Sequence, residues 1–146
     1  MLSQSEADGL IQVHKVFVDR NPLILNRPTN LERQLLSVAQ SSDRFYLNIT
    51  QTAIEFGKYT ANTRFFSIPL VRVCIGEDIV HTNPNDEDIA GPHVHVYQAG
   101  HFDTYARPLS EFRWDNSTMI KLMKAFLKFC NIEDIKLIDQ KIMGAP

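Results

Sequence analysis

Ala7, Leu10, Ile11, Phe17 and Val18, with His14 on the same stripe, recur at helical spacing behind a Ser3/Glu6 capping box. The spacing predicts a first helix from about Gln4 to Arg20, closed by Asn21-Pro22 because a residue before proline is pushed out of the helical region. The pattern then changes to alternation. Phe45, Leu47 and Ile49 share one face of an extended run over Arg44–Thr50, with Tyr46 and Asn48 on the other. Lys58–Phe66 and Leu70–Ile75 read the same way, with Val71, Val73 and Ile75 inward and Pro69 marking an edge or a strand start. His93–Gln98 forms a further strand, in which Val94 and Val96 face the core while His93, His95 and Tyr97 share the opposite face. Leu31–Val38 fits a short helix or a strand, and the strand is preferred, with Gln40-Ser41-Ser42-Asp43 as the turn of a hairpin.

Helical spacing returns after Asn116-Ser117: Met119, Leu122, Met123, Phe126, Leu127 and Cys130 form an apolar stripe, and Lys121, Lys124 and Lys128 point outward. Asn131 suits the left-handed C-terminal cap. The tail from Ile132 to Met143 is expected to add a helical turn or two. Strand runs joined by short turns argue for an α+β domain over 1–146, a curved antiparallel sheet of about five strands with an N-terminal and a C-terminal helix packed on it.

A chain of 146 residues buries an adequate core without disulfides or a structural metal. Fifteen basic against 17 acidic residues leave a formal charge of −2, which offers no broad basic surface for a phosphate backbone, so direct nucleic-acid binding is not expected. The N-terminus lacks the basic and apolar regions of a secretory signal, and the longest apolar stretch, Ile68–Ile75, is too short to span a bilayer. A cytoplasmic protein that does not enter membranes is expected. Cys74 and Cys130 lack CxxC spacing and read as small buried hydrophobes; a Cys74/His nucleophile stays open, although a cysteine in an apolar strand is usually inert.

Four of the five histidines fall between His81 and Asp103. Roughly sixteen residues join the strand ending at Ile75 to the one starting at His93, a long connection for a compact domain. Its acidic interior, Asn83-Pro84-Asn85-Asp86-Glu87-Asp88, lacks the glycine and the bidentate glutamate of a calcium loop. Gly91-Pro92 returns the chain to extended geometry before His93, so that His81 can fold over the His93/His95 face. Imidazoles from His81, His93 and His95, with the Asp103 carboxylate in reach, match what zinc or a similar borderline divalent ion accepts. His-x-His on a strand is also common on a wet sheet face, where it holds nothing.

Catalytic signatures are incomplete. Histidine-triad nucleotide hydrolases need a third histidine where Tyr97 stands, and cupin metal sites need a glutamate near Ala99 and Gly100. No nucleophile elbow, phosphate loop, dinucleotide fingerprint or HExxH motif occurs.

His81-Thr82-Asn83-Pro84, Gly91-Pro92-His93-Val94-His95-Val96-Tyr97, Gly100, Asp103, Tyr105-Ala106 and Pro108-Leu109 resemble the signature of a family of short uncharacterised proteins from Gram-positive bacteria, their prophages and mobile elements. The likeness runs from about Arg44 to Asn131 and is similar, in its Pro-His-x-His core, to small proteins encoded near toxin–antitoxin loci. The resemblance implies that His81, His93, His95 and Asp103 belong to a shared pattern, whereas His101 stands where an aromatic residue is expected. It also has Tyr105 in place of a tryptophan and Glu87 in place of a turn glycine. By analogy it implies a non-enzymatic accessory protein that acts by protein–protein binding, such as an inhibitor of a host nuclease-based defence like CRISPR, with a structural zinc. In that role the acidic stretch Asp86–Asp88 would meet basic patches on the partner. A metal-dependent hydrolase or phosphoesterase using His81, His93 and His95, with Asp103 or Tyr97 assisting proton transfer, is the second expectation, and an antitoxin the third.

Overall fold

The computed structural model describes residues 1–25, 28–51 and 58–139. Helix α1 (Gln4–Gln12) begins at the capping box, Ser3 accepting from the Glu6 amide and Glu6 from the Ser3 amide. It stops at Gln12 and does not reach Arg20. Beyond it, Lys15–Phe17 forms strand β1 and pairs with Leu35–Ser37 of β3 (Thr29–Ser37). The apolar stripe of the sequence is therefore two elements: Ala7 and Ile11 bury from the helix and Phe17 from the strand. The β-branched Val16 and Val18 favour the sheet, whose pairing outweighs the weak helical preference of the segment.

The main sheet has seven strands in the order β1-β3-β4-β5-β6-β9-β10, with β4 Arg44–Gln51, β5 Tyr59–Phe65, β6 Ile68–Ile75, β9 His93–Val96 and β10 Ala106–Pro108. Every neighbouring pair is antiparallel. The five strands expected from the sequence are the five in the middle, Leu31–Val38 among them as β3. The two additions are the edge strands β1 and β10, each of three residues, too short for alternation to register and short enough to blunt the sheet edges. The connection between β6 and β9 is not structureless, since it holds a hairpin of β7 (Val80–Thr82) and β8 (Asp88–Ala90).

Phe45, Leu47, Ile49, Ala61, Val71, Val73 and Val94 line one face of the sheet and share a core with Ala7 and Ile11 of α1 and Leu122, Met123, Phe126 and Leu127 of α2 (Met119–Phe129). Thr118 caps α2, and Asn131 closes it with a left-handed φ of 52°. The tail adds a strand where a helical turn was expected: β11 (Leu137–Ile138) pairs in parallel with β2 (Leu23–Ile24). The amides of Leu23 and Leu25 take the carbonyls of Lys136 and Ile138, which satisfies backbone that a helical tail would leave unpaired. The part of that expectation beyond residue 139 lies outside the described residues.

Lys15 is fully buried under this core. Its Nζ donates to the carbonyls of Ile11, Val13 and Cys130 at 2.9, 3.0 and 2.7 Å and lies 4.9 Å over the Phe45 ring. One ammonium thus closes the C-terminal ends of both helices, where orphan carbonyls and the negative helix pole collect.

Candidate metal centre

The cross-strand register places the site. Thr50, Thr60, Cys74 and His93 stand opposite one another along one row of the sheet, and Asn48, Asn62, Arg72 and His95 along the next. Directly opposed residues of antiparallel strands share a face, so both rows lie on the side away from the helices. Such positions are usually solvated. Yet His93 and His95 are only 4% and 1% exposed.

The β7–β8 hairpin accounts for that burial. Its Asn83 is clamped to β10, the side-chain amide donating to the Ala106 carbonyl at 3.0 Å and accepting from the Ala106 amide at 2.8 Å. Gly91, at φ 79°, turns the chain back and donates its amide to the Ile79 carbonyl. The hairpin thereby brings His81 over the sheet, with ring centroids 4.6 Å from His95 and 5.6 Å from His93; the latter two are 4.9 Å apart. An Asn83→Ala variant is expected to lose about 2–3 kcal/mol of stability, since two buried backbone groups of Ala106 lose their partners. Thermal denaturation measures it, and an unchanged midpoint would show that the hairpin is held by other contacts.

Hydrogen bonding sets the tautomers. His81 Nε2 lies 2.8 Å from the Thr104 carbonyl and His93 Nδ1 lies 2.9 Å from the Gly91 carbonyl. A carbonyl only accepts, so each of those nitrogens carries the proton and the opposite nitrogen keeps its lone pair. A ring oriented by a backbone carbonyl in this way is the usual support of a metal-ligating histidine. His95 differs, because the Arg72 Nη2 is 3.3 Å from its Nε2 and a guanidinium only donates. Its proton then sits on Nδ1, which is buried without a hydrogen-bond partner.

Burial above all, and then the positive charge of Arg72 and the neighbouring His93 and His81, pull the His95 pKa down to about 3, against a weaker opposite pull from the main chain at Asp103. Burial lowers His93 as well, with the Gly91 hydrogen bond opposing it. Both rings are neutral bases at neutral pH, the form a metal needs. Burial raises the Cys74 thiol, while Arg72 works the other way, so Cys74 must release a proton in order to ligate.

The ligand atoms of Cys74, His93 and His95 all lie within 4.8 Å of one another. They sit in a cleft of about 380 Å³ whose lining also includes Lys58, Tyr59, Arg72, Ile79 and His81. The structure thus brings together three of the four residues singled out in the sequence, with His81 beside the group and not within it. Asp103 instead faces Arg72, its Oδ2 3.6 Å from the guanidinium Nε. Tyr97 leaves the histidine face altogether: the strand ends at Val96, and the Tyr97 ring enters the core with its hydroxyl on the Leu2 carbonyl at 2.7 Å.

Two residues of the site were not found by sequence reasoning. Cys74 reads as a core residue inside an apolar run, but alternation against inward Val71, Val73 and Ile75 puts it, with Arg72, on the other face. Only the β6–β9 register sets it opposite His93. Cys130 does behave as expected, buried beside Thr63 with its thiol pushed up to about 11, chiefly by burial.

No helix among the described residues is long and apolar enough to cross a membrane. Comparison with curated proteins and with solved structures finds no match. The profile of a family of unknown function, DUF6978, matches residues 2–132, and the chain belongs to that family.

Proposed function

We propose that the protein is a metal-dependent hydrolase whose Cys74, His93 and His95 hold a borderline divalent ion such as zinc. The observation that carries this reading is the convergence of one sulfur and two imidazole donors within 4.8 Å on the floor of a cleft. Bond lengths of about 2.0–2.1 Å to nitrogen and about 2.3 Å to sulfur put the tetrahedral donors roughly 3.3–3.5 Å apart, so the three need to close in by at most about 1.5 Å. For His95 to ligate through the unpartnered Nδ1, the ring proton must move from Nδ1 to Nε2 and the Arg72 guanidinium must turn away from Nε2. Three protein donors facing a cleft make an open site of the catalytic kind, whereas structural zinc is enclosed by four. An open ligand position favours the hydrolase reading over the protein-binding one.

A bound ion would supply Lewis-acid polarisation of the bond to be cleaved. The chain contributes the rest. His81, anchored through Nε2 to Thr104, keeps Nδ1 as a proton acceptor at the cleft. Arg72, balanced by Asp103, places a fixed positive charge beside the histidines.

Titration with cobalt(II) tests the ligand set, since a thiolate bound to cobalt gives a charge-transfer absorption that nitrogen and oxygen ligands lack. One equivalent is expected to produce that band in the native chain and none in Cys74→Ser. Phosphoester and carboxylester substrates are then screened with the zinc-loaded chain. Absence of the band and of stoichiometric zinc would remove the metal centre. Zinc uptake with no turnover above the His95→Ala background would remove the hydrolase.

A further inference from the structure

Arg72 stands directly opposite His95 in the β6–β9 register and two residues before Cys74 on its own strand, so its side chain shares the outer face with all three donors. Its Nη2 points at His95 Nε2 from 3.3 Å. Whichever ring nitrogen takes the metal, the guanidinium has to leave. Ligation through Nε2 uses the lone pair that the guanidinium holds, and ligation through Nδ1 puts a proton on Nε2, facing a group that only donates.

A second seat lies beside the first. The Arg72 Nε is buried without a hydrogen bond, with the Asp103 Oδ2 3.6 Å away. A charge-assisted hydrogen bond of this kind closes to about 2.7–2.9 Å, so a shift of under about 1 Å toward Asp103 would complete one. The carboxylate is the fixed partner. Thr104, next in the chain, is tied to the His101 carbonyl by its amide and its hydroxyl at 3.2 and 2.7 Å, and its own carbonyl faces His81 Nε2. The arginine side chain, 36% of it exposed, keeps the rotamer freedom to move.

We propose that Arg72 and Asp103 form a latch on the metal centre. In the metal-free chain the guanidinium occupies His95 and repels cations; on metal entry it turns onto the Asp103 carboxylate, which neutralises it beside the incoming ion. The latch regulates the centre proposed above and rests on that reading. Asp103 is then a positioning residue that acts through Arg72, in keeping with its place outside the donor cluster.

Zinc affinities of the full chain, measured by competition with a chelator, test the latch in the native protein, Arg72→Gln, Asp103→Asn and the double variant. Arg72→Gln is expected to bind zinc about tenfold or more tighter than the native chain, and Asp103→Asn about tenfold weaker, the scale on which partners of metal ligands act. In the Arg72→Gln background, Asp103→Asn is expected to change the affinity by about twofold or less, because no guanidinium is left to seat. A carboxylate acting as a ligand or through its own charge would weaken zinc equally in both backgrounds, and that result overturns the latch. So does an Arg72→Gln chain that binds zinc no tighter than the native one. Circular dichroism checks each fold; Arg72→Met serves where Arg72→Gln does not fold, and its comparison with the native chain decides the sign without the Asp103 variant. Both overturning results leave the metal centre standing, whereas zinc uptake by no chain removes the centre and the latch together. Uptake by Arg72→Gln and not by the native chain supports both.

Discussion

A His95→Ala variant is expected to bind zinc on the order of 100-fold or more weakly than the native chain, because even an outer partner of a metal ligand costs about 10–100-fold when removed and a ligand costs more. His95 is the most buried of the three donors at 1% exposure, and it stands on the register row next to that of Cys74 and His93. Removing it takes away one imidazole and exposes Arg72 to the two remaining donors, and a guanidinium beside an incoming cation repels it. Elemental analysis after dialysis measures stoichiometry, and competition with a chelator measures affinity. Circular dichroism of the variant must show the native fold, since Arg72 keeps Asp103 as its partner. A folded His95→Ala chain that takes up zinc as tightly as the native one would remove His95 from the centre. A parallel His101→Ala variant should change nothing, since that exposed ring contacts Tyr105 and lies outside the cluster.

Truncating Lys15 is expected to produce the largest loss of stability, about 3–5 kcal/mol for Lys15→Ala, from the emptied volume and from three carbonyls deprived of a donor. Lys15→Met separates these effects. It fills most of the space and removes the charge, so its cost is expected to be smaller, about 1–3 kcal/mol, and to report the orphaned carbonyls of Ile11, Val13 and Cys130. Chemical denaturation measures both. A Met variant as stable as the native chain would mean that the carbonyl contacts contribute nothing beyond filling space, as happens when a buried charge is replaced by a hydrophobe.

The same residue gives a pH signature. Burial lowers the Lys15 pKa in the fold to about 8, against about 10.4 in the unfolded chain. Between those values the unfolded chain holds more protons, so folding stability from this group rises with pH. The advantage of the native chain over Lys15→Met should therefore widen as pH climbs from about 8 to about 10. Taking the difference cancels Tyr59, whose raised value acts in the opposite direction in both proteins; the Cys130 thiol is raised too but is pulled down by Lys15, so the comparison is made with Cys130→Ala in both chains. A gap that narrows across that window would contradict a destabilised ammonium.

Wherever one face of an element is buried and the element is long, the residues announce it. Phe45, Leu47 and Ile49 alternate because they meet the helices, and Leu122, Met123, Phe126 and Leu127 recur at helical spacing because they meet the sheet. The capping box at Ser3 and the left-handed turn at Asn131 are legible for a similar reason, since their chemistry is local. The misreadings fall where context decides. Lys15–Phe17 continues a helical stripe on paper but becomes an edge strand because β3 offers it a partner, and Leu137–Ile138 is extended only because β2 lies beside it.

The site divides along the same line. Donor chemistry was determined by the residues themselves: His81, His93 and His95 are the types a borderline ion accepts, and a spacing of two sets the last two on one face of any strand. Selection of the third donor was left to pairing between distant strands. Cys74 enters because β6 and β9 align it with His93, and Asp103 drops out because Arg72 holds it. Burial was likewise decided by tertiary structure, through the Asn83 clamp that lays a hairpin over an outer face. Periodicity within a segment records which side of that segment is covered, whereas register and roofing depend on segments far apart in the chain, whose mutual placement leaves no periodic trace in either one.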